Sequence, residues 1–154
     1  QAAILENVSR YVRLGGVLLY STCTVLKREN EDIVNAFLAA HLEFHPECFD
    51  APEGAENVTY CIYDGEIACV DFTLDGHEYT YEAAKLDGNF SRAEGEAVGS
   101  TALNAEYGAV LDRVSPDTWR AHWNRDDVSY YLTNFDGAEE SAITEIADTL
   151  MKSN

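Results

Sequence analysis

The apolar positions change period along the chain. Ile4, Leu5, Val8, Tyr11 and Val12 recur at helical spacing and predict an amphipathic helix over residues 2–13. Leu14-Gly15-Gly16 follows, and either glycine can take the left-handed conformation that stops a helix. Val17 to Tyr20 form an almost wholly apolar run, the pattern of a strand covered on both faces. After Ser21-Thr22-Cys23-Thr24, the group Glu29-Asn30-Glu31-Asp32 places carboxylates in the first turn of a second helix, where the dipole favours them. Ile33, Val34, Phe37 and Leu38 supply its buried stripe, and Pro46 forbids continuation. The order is helix, strand, helix, with the connections of a parallel sheet.

From Asn57 the rhythm is that of short strands. Val58 to Tyr63, Glu66 to Leu74 and His77 to Ala84 are separated by Asp64-Gly65 and Asp75-Gly76, strong hairpin signals. Residues 86–100 read as a polar connection. Leu103 to Val114, Thr118 to Asn124 and Val128 to Thr133 form a second β-rich set. Asp136 is placed to cap a final helix, with Glu139 in the capping-box position and Ile143, Ile146, Ala147, Leu150 and Met151 as its apolar stripe. That helix should cover one face of the sheet and leave the other wet. The expected fold class is α+β: a helix-strand-helix remnant, then a mostly antiparallel sheet of about six strands closed by a C-terminal helix. The expected organisation is residues 1–50, a junction at 51–56, and an acidic domain over 57–154.

Charge sharpens that division. Residues 1–50 carry four basic side chains against seven acidic ones, and residues 51–154 carry six against 21. A surface as negative as the second repels phosphate backbones, so nucleic-acid contact is not expected there. An apolar content of 46% excludes a disordered chain, and no apolar run approaches the length of a membrane span. The start at Gln1 rather than Met suggests a fragment or a processed product. Cys23, Cys48, Cys61 and Cys69 show no Cys-x-x-Cys spacing. A two-residue turn at Asp64-Gly65 would set Cys61 opposite Ala68 and Tyr60 opposite Cys69, sending the thiols to opposite faces and predicting that they stay reduced.

The candidate chemistry sits at Cys23. It ends an apolar run at the edge where open α/β sheets collect ligands. Ser21, Thr22, Thr24 and the nearby Lys27 and Arg28 supply donors and positive charge that favour a thiolate. An ordinary small buried cysteine is the competing reading. Leu14-Gly15-Gly16, Tyr20-Ser21-Thr22-Cys23-Thr24, Glu29-Asn30-Glu31 and Glu43-Phe44-His45-Pro46, with Gln1 and Ile4-Leu5 ahead of them, resemble the RNA (cytosine-5) methyltransferases of the RsmB/Sun type. The resemblance implies S-adenosyl-L-methionine as methyl donor, RNA as partner and a cytoplasmic setting. It also implies Cys23 as the nucleophile that attacks C6 of cytosine. The family's glycine-rich cofactor loop, its cofactor-binding acidic residue and its Pro-Cys motif have no match here, so the chain alone is expected neither to bind the donor nor to be active.

Asp71 to Tyr81 and Trp123 to Met151 are similar to a poorly characterised bacterial β-rich domain often found on secreted or lipid-anchored chains, which implies no catalytic residues. A non-enzymatic acidic binding or envelope-associated module is therefore the alternative function. His41, His45 and Cys48 are weak candidates for zinc, because Pro46 breaks the helix that would align them. The acidic group Asp64, Glu66, Asp71, Asp75 and Glu78 reads as a solvated face rather than a calcium site, since it lacks an EF-hand loop. Tyr60, Tyr63, Tyr79, Tyr81, Tyr130, Tyr131, Trp119 and Trp123 read as sheet packing before they read as a sugar- or peptide-binding surface.

Overall fold

The first apolar stripe forms a helix, but a shorter one than its pattern predicts. The computed structural model describes residues 1–13, 16, 18–21, 26–41, 44, 49–64 and 66–153, with Glu31 and Ser153 described by their backbone alone. In it α1 is Ala2–Ser9, and Arg10 caps it in an ordinary right-handed conformation. Leu5 is buried, whereas Ile4, Val8 and Tyr11 are exposed. The helix ends well ahead of the double glycine. Gly16 is not its left-handed stop; a Cβ there would lie 2.9 Å from the Arg13 carbonyl oxygen, so close approach is what favours glycine. Gly15 lies outside the described residues.

Leu18, Leu19 and Tyr20 are not a strand, which corrects the expectation for that run; Val17 lies outside the described residues. A strand needs a neighbour for its amide groups. Among the described residues every strand pairing falls between Glu56 and Asn134. Tyr20 is held instead through its hydroxyl, which donates to the Glu29 carbonyl oxygen at 2.9 Å. Glu29 closes a single 3-10 turn, Lys27–Glu29, and α2 follows at Glu31–Ala40. The chain through Cys48 forms one compact unit.

The second unit, Phe49–Asn154, is built on one antiparallel sheet. Its strands are β1 Glu56–Tyr63, β2 Ile67–Leu74, β3 His77–Ala84, β4 Gly99–Asn104, β5 Ala109–Ser115, β6 Thr118–Arg125 and β7 Val128–Asn134. The spatial order is β1-β2-β3-β7-β6-β5-β4, so there are seven strands rather than six. The run read as one strand from Leu103 to Val114 contains a reversal. The Glu106 amide donates to Asn104 Oδ1, an Asx turn, and Gly108 takes a positive φ of 61°. Asp75-Gly76 is the two-residue turn its sequence predicts, with φ of 51° and 82° and Leu74 paired with His77.

The first hairpin differs. Tyr63 pairs with Ile67, so three residues make the loop rather than two. Because side chains alternate, that single-residue slip reverses the face of everything on the strand relative to its partner. Cys61 therefore lies opposite Cys69, and Tyr60 opposite Val70. The expectation that the two thiols face apart is overturned.

One sheet face carries Val70, Phe72, Tyr79, Tyr81, Leu111, Ala121, Trp123, Tyr130 and Leu132, all buried. α3, Glu140–Ser153, packs on β6 and β7 there through Ile143, Ile146, Ala147, Leu150 and Met151, a helical stripe as its spacing predicts. Asp136 does not cap it. Its carboxylate accepts instead from the Glu78 amide at 2.9 Å and contacts His77 Nδ1 at 3.0 Å. The backbone carbonyl of Glu139 accepts the first helical amides.

The opposite face is not wet. β3 lies mid-sheet and β4 at the far edge, so the connection of residues 85–98 must pass β7, β6 and β5. It does so against the second face. The Tyr131 hydroxyl donates to the Gly88 carbonyl oxygen at 3.1 Å, Phe90 meets the Tyr131 ring edge-on, and Arg120 Nη1 donates to the Ala93 carbonyl oxygen at 3.1 Å.

Candidate functional site

Cys23, the residue that sequence singles out, lies outside the described residues, with Thr22 and Thr24. Its surroundings in the chain are described in part. Ser21 is exposed, and the Arg28 guanidinium sits 3.9 Å from the Glu29 carboxylate beside it in the 3-10 turn. His41, the member of the His41, His45 and Cys48 set that is among the described residues, is engaged by α1 and by its own helix. Its Nε2 lies 2.8 Å from Glu6 Oε2, its ring stacks on Phe37 at 4.3 Å, and the contact ties α2 to α1. The hydrogen bond to His41 lowers the Glu6 carboxyl below its ordinary value. His45 and Cys48 lie outside the described residues.

Strand register creates, on the second sheet face, a cluster that sequence reasoning missed. Asp71, Thr80, Thr133, Arg120, Asp112 and Ser100 succeed one another across β2, β3, β7, β6, β5 and β4. The neighbouring row runs Cys61, Cys69, Glu82, Tyr131 and His122. Two guanidiniums pair with the three carboxylates of these rows. Arg120 donates through Nη2 to Asp112 Oδ2 at 2.9 Å, with both side chains buried, and the Ser100 hydroxyl donates to Asp112 Oδ1 at 2.6 Å. Burial alone would raise the Asp112 carboxyl; the bonds from Ser100 and Arg120 outweigh it and hold the group below the usual carboxylate range. His122 is pushed down by burial in spite of Asp112 nearby.

Arg92, from the crossing segment, serves the other end. Its Nε donates to Glu82 Oε1 at 3.4 Å and its backbone amide to Glu82 Oε2 at 3.2 Å, while Nη2 donates to Asp71 Oδ1 and to Cys69 Sγ. The Glu82 side chain is fully buried, and burial raises its carboxyl against the pull of Arg92. The Cys61 and Cys69 sulfurs and an Asp71 oxygen lie within 4.8 Å of one another. No sequence spacing announces this group, because seven residues separate the cysteines and only the loop length decides whether they meet.

The remaining candidates separate. Asp64 and Asp75 occupy turn positions at positive φ, Asp71 serves Arg92 and Thr80, and the Glu78 amide donates to Asp136, so these four acidic residues are engaged in different places. Tyr79, Tyr81, Tyr130, Trp119 and Trp123 are buried in the sheet core, as packing predicts, with Trp123 and Tyr130 stacked at 5.6 Å. Among the described residues no helix is long and apolar enough to cross a membrane.

Comparison with known proteins gives the first unit a family likeness. The 16S rRNA methyltransferase RsmB/F family matches residues 1–61. Probable ribosomal RNA small subunit methyltransferase B of Bacillus subtilis is 34% identical over 78 residues, 49% of this chain and 17% of that protein. Ribosomal RNA small subunit methyltransferase B of Thermus thermophilus is 46% identical over 52 residues, 34% of this chain and 13% of the relative. Its namesake in Xanthomonas campestris is 55% identical over 38 residues, 25% of this chain and 9% of the relative. The chain thus spans less than a fifth of the length of these curated relatives. No solved structure matches it. Residues 1–61 of this chain therefore resemble the RsmB/F rRNA methyltransferases, over a stretch that ends inside β1.

Proposed function

We propose that the amino-terminal segment is the part of an rRNA (cytosine-5) methyltransferase that carries the attacking thiol, with Cys23 as nucleophile and cytosine in RNA as its target, in the cytoplasm. The observation that carries this reading is the family match over residues 1–61, which contains Tyr20-Ser21-Thr22-Cys23-Thr24. As a thiolate, Cys23 adds to C6 of the base and raises the nucleophilicity of C5. Ser21 and the cations Lys27 and Arg28, close in sequence, favour ionisation of the thiol.

S-adenosyl-L-methionine, the donor the family uses, does not fit the residues present. A donor crevice in an open α/β sheet forms outside the carboxyl ends of parallel strands. Among the described residues all strand pairing is antiparallel and lies beyond residue 55. The chain by itself is therefore inactive in this reading. The acidic sheet unit takes no part in RNA contact, because its excess of carboxylates repels phosphate.

The test is a graft. Residues 1–61 replace the matching stretch of the Bacillus subtilis relative, and methylation of small-subunit rRNA is followed with labelled donor. Transfer by the graft, abolished by Cys23→Ala, is expected; the 154-residue chain alone gives none. A graft equally active with alanine at position 23 would remove Cys23 from the chemistry. Saturable donor binding by the 154-residue chain would overturn the reading that the donor does not fit it, and methyl transfer by that chain would overturn its inactivity.

A further inference from the structure

The geometry points to Cys61 and Cys69 as a redox-active dithiol that closes into a cross-strand disulfide by exchange with a small-molecule disulfide. The two residues are direct partners on β1 and β2, and their sulfurs lie within 4.8 Å. Directly opposed residues on antiparallel strands have Cα atoms about 4.5–5.5 Å apart. That falls inside the range of about 4.4–6.8 Å that a disulfide bridges, so side-chain rotation suffices and the backbone need not move.

Exposure orders the steps. β1 is an edge strand and Cys61 is half-buried on it, whereas Cys69 is fully buried. The Cys61 thiolate attacks one sulfur of the incoming disulfide. A mixed disulfide forms, and the first small thiolate leaves and takes a proton from solvent. Cys69 then attacks Cys61 Sγ, giving up its proton to solvent, and the second small thiolate departs and is protonated. The protein loses two hydrogens and the small disulfide becomes two thiols. Arg92 Nη2, already bonded to Cys69 Sγ, supports the thiolate in that second step, against the burial that pushes this thiol up. Arg92 also distinguishes the group from a metal centre, since a guanidinium among Cys61, Cys69 and Asp71 repels a cation. Nothing in this inference draws on residues 1–48, and it stands whether or not Cys23 attacks RNA.

The test uses the full chain with Cys23→Ser and Cys48→Ser, leaving only the pair. Treatment with oxidised glutathione should remove two hydrogens by intact mass and leave no free thiol. Cleavage after Glu66, between the cysteines, should then yield fragments that separate only on reduction. Adding Cys69→Ser should stop the reaction at a stable glutathione adduct on Cys61. Adding Cys61→Ser instead, a change at a half-buried edge position, should leave Cys69 unreacted. A glutathione adduct that persists on Cys61 while Cys69 is present would overturn the proposal. So would a folded protein, by circular dichroism, whose two thiols both stay free, or rapid modification of Cys69 without Cys61.

Discussion

The two units of this chain satisfy the same physical demands to very different degrees. Across residues 49–154 the sheet buries aromatic and aliphatic side chains against α3 on one face and a paired ionic network under the crossing segment on the other. Across the described part of residues 1–48, Leu5 and Ser9 are the buried residues, and three members of the first apolar stripe, Ile4, Val8 and Tyr11, are exposed. Both have helices with correct apolar periodicity. What separates them, among the described residues, is how far neighbouring elements cover that stripe: periodicity specifies a face, but only another element can bury it.

The largest test of that difference is to cut between the units. Residues 49–154 alone should unfold cooperatively at the midpoint of the full chain, and residues 1–48 alone should show no cooperative transition, both by far-UV circular dichroism. A shifted midpoint for the longer piece would show that the units stabilise each other. Next in size, Arg120→Ala strips a buried carboxylate of its counter-ion and should cost about 3–5 kcal/mol in urea unfolding. Trp123→Ala, deep in the core, should cost a similar about 3–5 kcal/mol. Leu5→Ala, buried in the first unit, should leave the transition of the second within about 0.5 kcal/mol, the scale for distant, independent sites. Oxidation of Cys61 and Cys69 closes a short loop in the unfolded chain and should stabilise the second unit by about 2–3 kcal/mol, lost on reduction.

Acid should act on the second unit through its polar rows. His122 and Asp112 have folded pKa values below their unfolded ones, so the folded state binds fewer protons and stability falls as pH is lowered. The histidine share is present above its unfolded pKa of about 6.5 and is lost as pH falls below it; the aspartate share goes below about 4. Glu82 runs the other way, because its raised carboxyl protonates more readily when folded. His122→Gln should therefore flatten the urea midpoint between about pH 6.5 and 5, with Asp112 left to act lower down. A small effect of opposite sign belongs to Thr133, whose buried hydroxyl has no hydrogen-bond partner among the described residues. Thr133→Val should be neutral or stabilise by up to about 1 kcal/mol.

Much of the fold was legible because it is local. The α3 stripe, the Asp75-Gly76 turn and the apolar face of β2 and β3 each follow from a few neighbouring residues. The errors came where one residue decides a distant relation. Asn104 and Gly108 split an apparently continuous strand, and Glu66 as a third loop residue turned Cys61 towards Cys69. Asp136 looked like a helix cap, and only the arrival of β3 beside β7 gives its carboxylate the Glu78 amide instead. The methyltransferase likeness was legible because Cys23 and its neighbours form a contiguous motif. The ionic rows were not, since Asp71, Glu82, Arg92, Asp112 and Arg120 come from five separate segments and meet only through register.

The placement of β3 between β2 and β7 has a consequence for the chain as it leaves the ribosome. The hairpins from β1 to β3 are complete early, yet the outer edge of β3 stays bare until Val128–Asn134 has been synthesised. During that interval a second nascent copy presents the same unpaired edge, and β3-to-β3 pairing between chains competes with the intended closure. Slow translation through residues 85–127 would lengthen the exposure, so yield of soluble protein should depend on how quickly that stretch is made.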